Sequence, residues 1–123
     1  MPTARHTFPR THRLGGRGTF KSIRDNGVRE SRGPLTLWAI PSELSHFRLG
    51  ISIGRIVGNA VRRNRIKRLL RESFRLLQHD LPRAYDLVIA VRPHEPLILA
   101  EYQRMLSHLL IKVHAKSSRG AGA

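Results

Sequence analysis

The stretch from Gly58 to Arg75, GNAVRRNRIKRLLRESFR, has the pattern of a helix with one cationic and one apolar side. At about 100° per residue, Asn64, Lys67, Arg68, Arg71 and Arg75 gather within roughly a third of the circumference, while Ile66, Leu69, Leu70, Ser73 and Leu77 take the opposite side. Such a helix buries one flank in a domain and holds guanidinium forks in solvent, each suited to gripping phosphate oxygens two at a time. Glu72 is the one acid in the stretch, with Arg68 or Arg75 as its partner. A merely solvated helix face ordinarily mixes signs into i, i+4 pairs, so the excess of one sign favours binding of a polyanion.

The rest of the chain agrees with that bias. Its 123 residues carry 23 Lys+Arg against 8 Asp+Glu, a formal net charge of +15, and a compact domain with that self-repulsion calls for a polyanionic partner. Nucleic acid is the first candidate and an acidic membrane surface the second. There is no cysteine, which excludes a disulfide scaffold, a thiolate zinc site and a cysteine nucleophile together. No apolar run approaches the roughly 20 residues that span a bilayer, and MPTARHTFPR lacks the apolar core of a secretory signal. The reading is a cytoplasmic protein with no membrane partner.

Along the chain, residues 1–13 read as a flexible basic arm and residues 14–116 as a single domain. Gly15, Gly16 and Gly18 form a flexible lead-in to a short helix, TFKSIRDNG, which Asn26-Gly27 stops. Strands are expected at Val28 to Arg32, Leu35 to Ile40 and Phe47 to Ile53, separated by Gly33-Pro34 and by Pro41-Ser42. In the third, Phe47, Leu49, Ile51 and Ile53 alternate with Arg48, Gly50, Ser52 and Gly54, giving one packed face and one small polar face. The basic helix follows, with Asn59 as its N-cap and Leu81-Pro82 as its stop. Tyr85 to Val91 then reads as a central strand, and the stripe Tyr102, Met105, Leu106, Leu109, Leu110, Val113 as a closing helix. Residues 117–123 read as a disordered tail. The order helix-strand-strand-strand-helix-strand-helix describes an α+β protein, a two-layer sandwich with helices packed on a four-stranded sheet.

No catalytic constellation accompanies this frame. The acids and histidines are scattered, and His79-Asp80 is explained by its place at a helix end. Binding chemistry is better represented. Arginine clamps phosphates, and asparagine offers both donor and acceptor to base edges and 2′-hydroxyls, so Asn64 amid the cations suits folded RNA. Strand alternation sets Trp38 opposite Leu35, Leu37 and Ala39, on the face that carries Gly50 and Ser52. There it can stack on a single-stranded base with Phe20 as a second wall, although a lone Trp in a small domain more often belongs to the core.

Arg48 to Arg75, RLGISIGRIVGNAVRRNRIKRLLRESFR, closely resembles the signature of the bacterial ribonuclease P protein component: a strand, a Gly-Asn-Ala-Val turn and an Arg-Asn-Arg helix, here Arg63-Asn64-Arg65. The resemblance extends more loosely from about Arg13 to His114. It implies a protein subunit of an endoribonuclease that removes 5′ leaders from precursor tRNA, with the hydrolysis carried by a catalytic RNA and its Mg2+ ions. The implied partners are that RNA and precursor tRNA; the sequence itself shows no obligate protein partner, no metal-ligating set and no organic cofactor motif. The implied RNA-binding residues are Arg55, Asn59, Arg62, Arg63, Asn64, Arg65, Lys67, Arg68 and Arg71. Phe20, Trp38, Gly50 and Ser52 are implied to line a cleft for the leader. The family also implies a left-handed crossover through the basic helix, against the general preference. This chain departs from the family at Gly54-Arg55-Ile56, where Ser-Lys-Lys is common, and at Arg24, where a second aromatic is frequent. A non-catalytic RNA-binding module, such as a ribosomal protein or RNA chaperone, is the alternative reading.

Overall fold

Residues 13–15, 17–80 and 83–122 are described by the computed structural model; the expected arm over residues 1–12, Gly16, the Leu81-Pro82 stop and the His79 side chain lie outside what is described. The elements follow the expected order: α1 (Arg17–Asn26), β1 (Val28–Arg32), β2 (Leu35–Pro41), β3 (Arg48–Ile53), α2 (Ala60–Leu77), β4 (Tyr85–Val91) and α3 (Leu99–Gly122). Short 3-10 turns at Arg55–Val57 and Gln78–Asp80 flank α2.

Local chemistry explains the boundaries. The Gly27 N–H donates to the Ile23 carbonyl at 2.7 Å and ends α1. A Cβ on Gly27 would stand 2.5 Å from the Ile23 oxygen and 2.9 Å from that of Ala39, so only glycine lets the helix end press onto β2. Gly33, at φ +57°, supplies the left-handed residue of the two-residue Gly33-Pro34 hairpin between β1 and β2. Asn59 is the N-cap the sequence predicts: its side-chain oxygen accepts from the Arg62 N–H at 2.9 Å.

The strands lie in the order β1-β2-β4-β3; β1, β2 and β4 pair antiparallel, and β3 pairs parallel with β4, so α2 is the crossover between the two parallel strands. Leu35, Leu37, Ala39, Leu49, Tyr85, Leu87 and Ile89 point from one face into a core shared with Ile66, Leu70 and Phe74 of α2 and with Tyr102, Leu106 and Leu109 of α3. Phe74 widens the apolar side of α2 beyond the expected stripe and meets Phe47 edge to face at 5.3 Å. The other face is covered in part by α1, whose Ile23 packs with Leu14, Val88, Trp38 and Ile40. Thus α2 and α3 form the helical layer of the sandwich, while α1 lies across the opposite face.

Where a disordered tail is expected from residue 117, α3 continues to Gly122, with Ala123 outside the described residues. Once the stripe through Val113 is docked, each further residue adds a helical hydrogen bond without a new nucleation cost.

Candidate nucleic-acid interface

Burial fixes which way α2 faces. Ile66, Leu70, Ser73 and Phe74 point inward, and Asn64, Arg65 and Arg68 are exposed along the outer side. Lys67 and Arg71 flank that side half-buried. Arg63 is turned towards the domain, its Nε donating to the Gly58 carbonyl at 3.1 Å. Arg62 is on the other flank, 3.5 Å from Glu95 of the β4-α3 loop, and His94 pins that loop through its Nε2 contact with the Tyr102 hydroxyl at 2.7 Å. The Arg-Asn-Arg triplet is therefore split: Asn64 and Arg65 face solvent, while Arg63 braces the turn that starts the helix. Asn59 spends its side-chain oxygen on the cap and has only its amide left to donate outward.

Charge on this helix is mostly uncompensated. Glu72 takes Arg75 in a two-pronged pair at 3.0 and 2.7 Å, which raises the pKa of that guanidinium. Among the described residues, Arg65, Lys67, Arg68 and Arg71 have no carboxylate within ion-pair distance. Burial, then the neighbouring charge of Arg13, lowers the pKa of Arg71. Arg13 is held there by a parallel bridge to Leu49, with the Leu14 N–H donating to the Leu49 carbonyl at 3.0 Å. The N-terminal segment thus adds a cation beside α2, a contribution that lies outside the helical pattern and depends on backbone pairing far along the chain. Exposed Arg55 precedes α2, and Ile56 beside it is 81% exposed.

The residues expected to line a cleft come together on the α1 face through strand register. Arg29, Trp38, Val88 and Gly50 stand in one row across the four strands, and Ser31, Thr36, Ala90 and Ser52 in the next. Over the first row lies α1. A Cβ on Gly50 would stand 2.4 Å from the Phe20 ring, so the missing side chain seats that aromatic and leaves no open floor beneath it. Phe20 and Trp38 are both half-buried on the Ile23 cluster. Part of the Trp38 ring is packed and part remains accessible. The second row is small, with Ser52 and Ala90 half-buried and the Ser31 and Thr36 hydroxyls 2.9 Å apart. Beyond α1 on the opposite side, Arg48 clasps Asp86 at 3.0 and 2.7 Å and the hydrogen bonds raise the Arg48 pKa.

Two features of the α1 face escape the sequence pattern. Asp86 interrupts an apolar strand, and its partner is 38 residues away. Arg29 holds its guanidinium carbon 5.9 Å from the centroid of the Trp38 ring, a cation–π contact set by β1–β2 register. Among the described residues there is no cluster of three metal-ligating side chains, and no helix is long and apolar enough to cross a membrane.

A cationic helix packed on one face of a mixed sheet, with half-buried Phe20 and Trp38 on the other, defines a class of small basic α+β proteins. The Arg-Asn-Arg helix and the strand leading into it place the chain more narrowly within that class. It belongs to the Ribonuclease P family, whose sequence pattern matches residues 8–114. The ribonuclease P protein component of Oceanobacillus iheyensis is 53% identical over 68 residues, 54% of this chain and 56% of that protein, so the chain spans just over half the length of this relative. The RNase P protein of Thermotoga maritima has the same fold, with a TM-score of 0.74 at 28% identity over 82% of this chain and 96% of that one. The RNase P protein of Staphylococcus aureus gives 0.70 at 30% identity over 84% and 94%.

Proposed function

We propose that this chain is the protein subunit of a ribonuclease P, gripping the catalytic RNA with the outer side of α2 and the 5′ leader of precursor tRNA in the α1 cleft. The observation that carries the reading is the row of uncompensated cations on a helix whose other side is locked into the core. Rigid placement lowers the entropic cost of each phosphate contact, and every contact releases counterions. Asn64, Arg65 and Arg68 make the central contacts, Lys67, Arg71 and Arg13 extend them along one flank, and Arg55 and Arg62 along the other. Arg63 and Asn59 shape the turn from which α2 starts. Phe20, Trp38 and Ser52 receive the leader, with Gly50 setting the height of Phe20. Hydrolysis belongs to the RNA and its Mg2+ ions, in keeping with a protein surface built from binding groups.

Reconstitution tests this directly. Added to a catalytic ribonuclease P RNA at limiting magnesium, the chain is expected to restore cleavage of the leader. Absence of stimulation at every protein concentration, together with tight binding to ribosomal RNA, would make the chain a non-catalytic RNA-binding module.

A further inference from the structure

We propose that Arg29 and Trp38 form a nucleotide-binding station on the β1 side of the cleft, so that a single-stranded leader crosses the sheet from β3 towards β1 and leaves over that edge strand. The proposal rests on the leader reading above and gives the leader a direction and an additional contact. Arg29 and Trp38 are direct register partners, and the guanidinium carbon lies 5.9 Å from the ring centroid. A planar guanidinium over an indole presents its edge N–H donors to solvent, where they can take a phosphate while the ring takes the adjoining base. Lysine, a hydrated point charge, does not reproduce that geometry.

Three features make this a built position. Glu30, the nearest acid in sequence, points to the other face of β1, where it pairs with Lys116 at 2.5 Å, so it does not quench Arg29. The same Lys116 Nζ donates to the Arg29 carbonyl at 3.0 Å, which fixes to α3 the backbone that carries Arg29. Ser31, two residues on and on the same face, holds its hydroxyl 2.9 Å from that of Thr36, placing hydroxyl groups beside the station. Base stacking, a phosphate fork and neighbouring hydroxyls suit a single-stranded polyribonucleotide with little base preference.

The holoenzyme reconstituted from the full chain and a catalytic ribonuclease P RNA provides the test. Affinity is measured for mature tRNA and for precursors whose leaders lengthen one nucleotide at a time, with wild type, Arg29→Gln, Arg29→Lys and Trp38→Ala. Trp38 is the one tryptophan in the chain, so its emission reports the station without a label. We expect Trp38→Ala to lower the precursor-to-mature affinity ratio about tenfold. Arg29→Gln is expected to lower it about three- to tenfold, only for leaders long enough to reach β1, and to reduce the salt slope by about 0.7. Arg29→Lys keeps the salt slope but loses part of the leader-dependent change in Trp38 emission. If Arg29→Gln matches wild type at every leader length while Trp38→Ala lowers the ratio, the station falls and the leader cleft stands. If neither variant lowers the ratio, the leader reading falls with it. Equal losses for precursor and mature tRNA in Arg29→Gln place Arg29 on the RNA subunit and overturn the proposal.

Discussion

The two faces of the sheet are made by alternate residues of the same strands, yet they are finished in opposite ways. On the α2/α3 face, Leu35, Leu37, Leu87 and Ile89 are fully buried against two long helices. On the α1 face, one row is covered by a short helix and the next, Ser31-Thr36-Ala90-Ser52, is small and polar. On the proposed reading the protein binds two polyanions, and its core cannot be spared for that task. The sealed face holds α2 rigid, and the half-covered face leaves part of the Trp38 and Phe20 rings accessible. Substitutions on the two faces should therefore separate stability from substrate selection.

The largest effect is expected on the sealed face. Phe74 is fully buried and meets Phe47 edge to face, so Phe74→Ala removes a large ring at a site hemmed in by sheet and helix. A loss of about 3–5 kcal/mol is expected in urea unfolding, a large share of what holds a domain of this size together. A loss below about 1 kcal/mol would mean that the face is less tightly sealed than its burial indicates.

Gly50→Ala probes the other face with a single methyl group. The new Cβ meets the outer end of the Phe20 ring, a group on a movable side chain, so the ring is displaced while the strand holds. Overpacking of this kind costs about 1–3 kcal/mol. The sharper readout is binding: the preference of the holoenzyme for precursor over mature tRNA should shrink by more than the stability loss accounts for. A variant that loses stability but keeps its preference would make Phe20 a structural cover.

Charge on α2 gives the next effect in size. Arg65→Ala and Arg68→Ala each remove an exposed cation with no carboxylate in ion-pair range among the described residues. Each is expected to weaken assembly with the catalytic RNA by about 1–2 kcal/mol and to flatten the salt dependence, with mature and precursor tRNA affected alike. Arg75→Ala is the internal contrast: its charge is already shared with Glu72, and a smaller loss is expected. Equal losses in all three would show that ion pairing within the helix does not matter to the interface.

Much of this arrangement is legible locally. Strand β3 announces itself by alternation, Asn59 by its capping position and α2 by its two-sided charge pattern. Patterns that repeat within one element are readable because neighbours in sequence are neighbours in space. The row Arg29-Trp38-Val88-Gly50 is different, because it exists only once β4 inserts between β2 and β3. No local period encodes that insertion, so alternation puts Trp38 and Gly50 on one face but not in one row across Val88. Arg29 joins the row through the β1–β2 hairpin register, which the two-residue Gly33-Pro34 turn sets locally. Arg48 and Asp86 are hidden for the same reason: each looks like an isolated charge until parallel pairing sets them side by side. The placement of α1 across from α2 also follows from the rows, since Ile23 docks on Val88 from the face that the core leaves open.

The smallest predicted effect lies where the two faces are tied together. Lys116 of α3 reaches around β1 to pair with Glu30 and to bond the Arg29 carbonyl, joining the helical layer to the edge strand of the cleft. The hydrogen bond from Lys116 lowers the Glu30 pKa below its ordinary value of 4.5, so the folded state binds that proton less readily than the unfolded chain. The pair therefore contributes its full stability above the unfolded value and loses it as pH falls through the lower folded value. For a partly exposed ion pair the contribution is below about 1 kcal/mol. Thermal unfolding of wild type and Glu30→Gln should differ slightly near neutral pH and converge in acid. A gap that persists at the lowest pH would assign the tie to packing of the Lys116 stem, and one that widens in acid would reverse the sign of the coupling.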